Sequence, residues 1–176
     1  DNQGSINGFT VNGTKNIDEG FICRAASFDG IDDYISVSGI STHLNGTSSL
    51  SFWMKTEQTG DNNYWRAPGI TGIEEANKSS NDIFWGYLRN GRIGMGKGGS
   101  HHVTSSVSVN NNTWQHIVLT RDSATGGKLS IYINGVLNGS VVGRSGGISL
   151  DFSSLGRIED TSGTPAYFAG QLDEVL

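Results

Sequence analysis

The stretch "TWQHIVLTRDSATGGKLSIYINGVLNGS", Thr113–Ser140, decides the fold. Its first part alternates with a period of two. Trp114, His116, Val118 and Thr120 fall on one side, Ile117 and Leu119 on the other. That period is the signature of a strand with one packed face. Leu129, Ile131 and Ile133 then alternate with Ser130, Tyr132 and Asn134. Asn134-Gly135 supplies the two positive-φ residues of a type I′ turn, so the chain is expected to reverse there into a further strand.

The same alternation recurs outside this stretch. "LSFWMKT", Leu50–Thr56, sets Leu50, Phe52 and Met54 against Ser51, Trp53 and Lys55. "DIFWGYL", Asp82–Leu88, followed by "RNGRIGMG", reads as a hairpin turning at Asn90-Gly91. "ISLDFSSLGRI" and "YFAGQLDEVL" are further strands, and only "STHLNGTSS" is suited to a helical turn. About ten to thirteen short strands broken by Gly, Asn and Ser argue an all-β antiparallel sandwich or jelly roll.

Composition agrees with that class. Of 176 residues, 26 are Gly and only 16% are charged, well below the usual quarter. No internal repeat or Pro-rich linker divides the chain, so residues 1–176 read as one domain. A net charge of −5 gives no electrostatic reason to bind nucleic acid or an anionic membrane. No stretch approaches the apolar length of a membrane helix, so no membrane insertion is expected. One cysteine, Cys23, cannot form an internal disulfide. No Cys or His cluster has zinc spacing, and His101-His102 on a strand would point to opposite faces.

The segments "AASFDGIDDYISV", "LSFWMKT", Thr113–Ser140 and "FAGQLDEVL" occur in the order of the laminin-G-like domains of the concanavalin A-like jelly-roll superfamily, which the chain resembles from roughly Gly20 to Leu176. The resemblance implies two antiparallel sheets, one convex and one concave, in a binding module of an extracellular protein. Many such domains bind carbohydrate and often calcium. It also implies apolar strands before Asp1 and after Leu176, either trimmed or carried elsewhere in a split domain.

Candidate functional residues follow. Asp29, Asp32 and Asp33 crowd into "FDGIDDY". A hairpin turn with Asx hydrogen bonds explains them, since Asp and Gly30 suit tight bends. A Ca²⁺ site explains them too, because a cation relieves the repulsion of adjacent carboxylates. The spacing is not that of an EF-hand. Asp160, in the loop "RIEDTSGTPAY", is a second acidic position, a candidate both for metal and for a ligand rim. Asp173, placed by the resemblance near the start of the domain, is a further metal candidate. If strands alternate direction, the loops around 38–48, 74–82, 98–102, 122–126, 142–146 and 159–166 gather at one end, with the Asp29–Asp33 turn at the other.

Sugar recognition needs an aromatic face and planar polar groups. Trp53 and Trp114 lie inside strands, where core packing is the expected role. Trp65, in the polar loop "GDNNYWRAPG", stands beside Tyr64 and Arg66 and is the better binding signal. Trp85 and Tyr87 are expected to share one strand face and line the concave sheet. His102 sits with His101 in a Gly-rich loop; solvated surface and ligand rim are its two readings. The paired carboxylates of jelly-roll glucanases, E-x-D-x-x-E, do not occur, nor does a Gly-x-Ser-x-Gly elbow.

The expectation is a calcium-dependent, lectin-like module that binds a glycan or polysaccharide. It would sit as a monomeric domain in a larger surface protein such as a bacterial adhesin. The alternative is a non-catalytic protein-binding or spacer domain; a glycoside hydrolase ranks third.

Overall fold

The computed structural model describes residues 7–78, 80–124 and 126–176. These form strands β1 (Gly8–Val11), β2 (Lys15–Ile17), β3 (Ala25–Asp29), β4 (Tyr34–Val37), β5 (Ser48–Lys55), β6 (Gly69–Glu74), β7 (Ile83–Arg89) and β8 (Arg92–Lys97). They continue with β9 (His101–Thr104), β10 (Gln115–Asp122), β11 (Lys128–Ile133), β12 (Val136–Val141), β13 (Ser154–Leu155), β14 (Arg157–Asp160), β15 (Ala166–Tyr167) and β16 (Ala169–Asp173). One helical turn, α1 (Ile40–His43), and one 3₁₀ turn, Tyr64–Arg66, interrupt them. The helical turn falls inside the stretch where the sequence allowed one.

Three sheets result. One has seven strands in the order β12-β11-β10-β5-β16-β3-β2, one has six in the order β15-β14-β6-β7-β8-β9, and β1-β4-β13 form a small third. The pairing is antiparallel except between β6 and β14. That parallel pair departs from simple alternation and matters for the site, because it sets Asp160 directly beside Glu74.

The Thr113–Ser140 reading holds in detail. β10 pairs with β11, placing Ile117 opposite Ile133 and Leu119 opposite Ile131. Asn134 and Gly135 turn the chain at φ 51° and 80°. The inward residues of the seven-stranded sheet (Phe52, Met54, Ile117, Leu119, Leu129, Ile131) pack in one buried cluster with Ile70, Ile83, Trp85, Leu88, Ile93 and Met95 of the six-stranded sheet. Burying two apolar sheet faces against each other is what makes a sandwich stable.

Two aromatic expectations are corrected here. Trp85 and Tyr87 do not share a face. A β-bulge between them, with Gly86 at φ 83°, puts Trp85 in the core between the sheets and Tyr87 on the outer face of the six-stranded sheet. An extra residue inverts the side-chain alternation. Both are fully buried in this conformation, so neither stands on an open concave face as the sequence expected. Trp53 and Trp114, conversely, lie outside the core. Trp53 is half-buried on the outer face of the seven-stranded sheet, covered by the Phe21 ring at 3.4 Å, with Trp114 edge-on to Phe21 at 6.4 Å.

Candidate functional site

The loops expected at one end do meet there. The buried Arg121 guanidinium, at the end of β10, donates to the carbonyls of Asn45 and Gly46 and to those of Arg144 and Gly146. Arg144 in turn donates to the Ser80 carbonyl at 3.3 Å, and the Ala76 amide donates to Thr161 Oγ1 at 2.9 Å. Alternation places Arg121 on the same face as Ile117 and Leu119, so its inward direction was readable; its role as a clamp on two loops was not.

On the outer face of the six-stranded sheet these loops border a cleft of about 370 Å³ lined by Tyr64, Trp65, Glu74, Asn77, Lys78 and Asp82. Trp65 is 45% exposed and meets Tyr64 in a T-shaped contact at 5.0 Å. Arg66 follows it in the turn, but its guanidinium faces Asp61, at 4.0 Å.

The carboxylates of Glu74 and Asp82 line the same cleft, with Asp160 beside Glu74. Glu74 ends β6, Asp160 ends β14 beside it, and Asp82 precedes β7. Asp82 is buried and its Oδ1 accepts the Glu75 amide at 2.8 Å. Burial, and then the negative charge of Asp160 and Asp82, push the Glu74 carboxyl up to about 7. Burial also raises Asp82. Burial alone would raise Asp160 as well, but hydrogen bonds from Ser162, Thr164 and Glu74 outweigh it and hold Asp160 below its ordinary value. Glu75 is offset by Lys78 at 3.4 Å and by Asn81. Nothing local in the sequence marks Glu74 as a site residue; only the strand end and its parallel neighbour reveal the pair with Asp160.

A raised carboxyl fixes a sign for stability against pH. Folded Glu74 holds its proton up to about pH 7, while the unfolded chain gives it up near 4.5. The fold therefore binds the extra proton between those values, and stability falls as pH rises through that window. A thermal-melt series from pH 5 to 8 should show this fall, and Glu74→Gln should flatten it. A slope of the same size in the variant would assign the effect to other groups.

Beneath Tyr64 lies a second small buried cluster, Ala67, Phe84, Tyr87 and Ile158. The His102 ring sits between Tyr64, at 3.8 Å, and Tyr87, at 5.7 Å. His102 belongs to β9, not to the loop expected from the sequence. Its Nε2 contacts the Gly98 carbonyl at 2.6 Å and must carry the proton, since a carbonyl only accepts. Burial pushes its pKa down to about 4, so the ring is neutral near pH 7.

The other metal candidates lie elsewhere. Asp29, Asp32 and Asp33 offer carboxylate oxygens within 4.8 Å of one another. Asp33 is buried, with its oxygens accepting the Gly13 amide at 2.6 Å and the Asp29 amide at 3.0 Å, while Asp29 accepts the Ile31 amide at 2.8 Å. The Ile31–Asp29 bond is that of an Asx turn, while the Gly13 and Asp29 amides satisfy the buried Asp33 without an ion. Asp173 accepts the amides of Ile22 and Glu174, at 2.9 and 2.8 Å. Asp29 pairs with Ala169, at the opposite end of β16 from Asp173. Four residues of strand are about 13 Å, so these two carboxylates cannot share a cation. Among the described residues, Asp29, Asp32 and Asp33 are the acidic group whose oxygens converge closely enough to share a cation; Glu74 and Asp160 instead share a side-chain hydrogen bond.

Residues 29–176 match the family model Laminin_G_3, of the concanavalin A-like lectin/glucanases superfamily. A rat protein, "Sushi, von Willebrand factor type A, EGF and pentraxin domain-containing protein 1", is 31% identical over 137 residues, which are 76% of this chain and 4% of that protein. The fold is similar to the binding domain of Paraclostridial Mosquitocidal Protein 1, with a TM-score of 0.63 and 17% identity over 95% of this chain and 42% of that one. It is also similar to domains LG4-5 of the mouse laminin alpha1 chain, with a TM-score of 0.58 and 12% identity over 86% of this chain and 41% of that one. The binding domain of Botulinum Neurotoxin DC, solved in complex with SialylT, gives 0.58 and 13% over 97% and 42%. The chain thus spans a small part of its curated relative and under half of these solved chains, and it belongs to the laminin-G branch of the concanavalin A-like superfamily.

Proposed function

We propose that the chain is a non-catalytic glycan-binding module of a larger extracellular or cell-surface protein. The observation that carries this reading is the exposed Trp65 lining one cleft with Glu74 and Asp82. An indole face stacks on the C–H side of a sugar ring, and carboxylates accept its hydroxyls. Solved binding domains of similar fold, one of them in complex with SialylT, support the class. In this reading Ca²⁺ orders the Asp29–Asp33 turn, whose carboxylate oxygens lie within 4.8 Å of one another, and Asp160 belongs to the ligand rim. The low charge and the lone cysteine suit a bacterial adhesin.

A glycan array run in millimolar calcium and again in EDTA tests this. Hits are expected in calcium, reduced in EDTA, and weakened about tenfold by Trp65→Ala with the melting temperature unchanged. Equal hits in both buffers would remove calcium from the site. Absence of hits from folded protein would sink the glycan reading. One surface favours the alternative, a protein-binding domain: Phe21, 46% exposed, stacks on Trp53 on the far sheet. Capture of a protein partner that survives Trp65→Ala would select it.

A further inference from the structure

Five buried side-chain polar atoms lack a hydrogen-bond partner among the described residues, and two of them, Tyr87 Oη and His102 Nδ1, lie together under the Tyr64 ring. Stranding a buried polar atom is costly, and phenylalanine would fill the same space as Tyr87 without it. The two rings also lie unusually close to the backbone. A Cβ at Gly94 would come within 2.2 Å of Tyr87 Cζ, and one at Gly96 within 2.0 Å of His102 Nδ1. The Gly94-Met95-Gly96 stretch thus leaves the outer face of β8 bare, and the two rings lie over it as a floor.

The cover over that floor is slight. Tyr64 sits 3.8 Å from His102 and edge-on to Phe84 at 5.6 Å. It belongs to a three-residue 3₁₀ turn with no buried residue. Its phenol donates one hydrogen bond, to the Gly99 carbonyl at 3.0 Å. The same Tyr64 forms a wall of the open cleft.

We propose that the Tyr64–Arg66 turn is a lid over a second saccharide subsite, floored by Tyr87 and His102, which takes a neutral sugar ring continuing from the Trp65 cleft. The inference rests on the glycan reading of that cleft. A pyranose presents one apolar C–H face to the floor and a hydroxyl to the stranded phenol. The neighbouring Glu74 and Asp82 carboxylates select against an anionic sugar in this position.

The probes are the methyl glycosides of glucose, galactose, mannose and N-acetylglucosamine, titrated calorimetrically and by NMR at millimolar concentration. Tyr87→Phe should weaken the best glycoside about tenfold while the melting temperature stays the same or rises, because a stranded hydroxyl is removed. His102→Phe, which keeps a ring on Gly96, should weaken it similarly. Tyr64→Phe, which cuts the tie to Gly99 and keeps the ring, should tighten it severalfold. Unchanged affinity in Tyr87→Phe and His102→Phe, with Trp65→Ala still defective, would overturn the subsite and leave the cleft reading intact. Wild-type protein that takes none of the glycosides and no array glycan would overturn both.

Discussion

Arg121→Met should lower stability by about 3–5 kcal/mol, because several charge-assisted hydrogen bonds are lost and their buried carbonyls are left without a donor. In a domain of this size that is a fall of roughly 6–20 °C in melting temperature. The guanidinium is buried and donates to four carbonyls, from Asn45 and Gly46 in one loop and Arg144 and Gly146 in another. Burial lowers its pKa, but an arginine stays charged in a protein. Methionine matches the stem and supplies no donor, so the four carbonyls must find water or separate. Arg121→Lys should recover only part of the loss. A single ammonium cannot fork across two loops as the planar guanidinium does. The defect should spread to the cleft, because Arg144 holds the Ser80 carbonyl and with it the loop carrying Asn77, Lys78 and Asp82. Chemical denaturation measures the first effect and glycan affinity the second. A variant within 1 kcal/mol of wild type would show that solvent already serves those carbonyls.

How much of this was legible in the sequence depends on how local the signal is. The β10–β11–β12 stretch was readable because alternation and an Asn-Gly turn act within a few residues. The hairpin at Asn90-Gly91 was readable for the same reason. Trp85 and Tyr87 misled because one glycine in a bulge reverses the face of everything after it, and Gly86 looks like any other glycine in a strand. Trp53 was assigned inward because an indole is usually buried, although its own alternation with Phe52 and Met54 placed it outward. The cleft was only half legible. Trp65 stood out as an aromatic among polar residues. Glu74 did not, since its partner Asp160 is brought alongside by a parallel strand pair 86 residues away in sequence. A long-range pairing of this kind has no local signature.

Trp85→Ala should cost about 3–5 kcal/mol, as large-to-small changes in a packed core do. Trp85 is fully buried among Ile70, Ile83, Met95 and their neighbours between the two sheets. Deleting it opens a cavity where strands from both sheets meet, and a close-packed interior collapses only partly into such a space. Trp85→Phe should cost much less. It keeps most of the apolar body and removes an indole N–H that has no hydrogen-bond partner among the described residues. The comparison with Trp65 separates packing from recognition. Trp65→Ala touches an exposed ring and should leave stability within about 0.5 kcal/mol while weakening glycan capture. Trp85→Phe should show the reverse pattern, some loss of stability with capture retained. Urea denaturation and an affinity measurement on each variant, below its unfolding transition, decide the matter. Lost capture in a folded, stable Trp85→Phe protein would return Trp85 to the binding face and contradict its burial between the sheets.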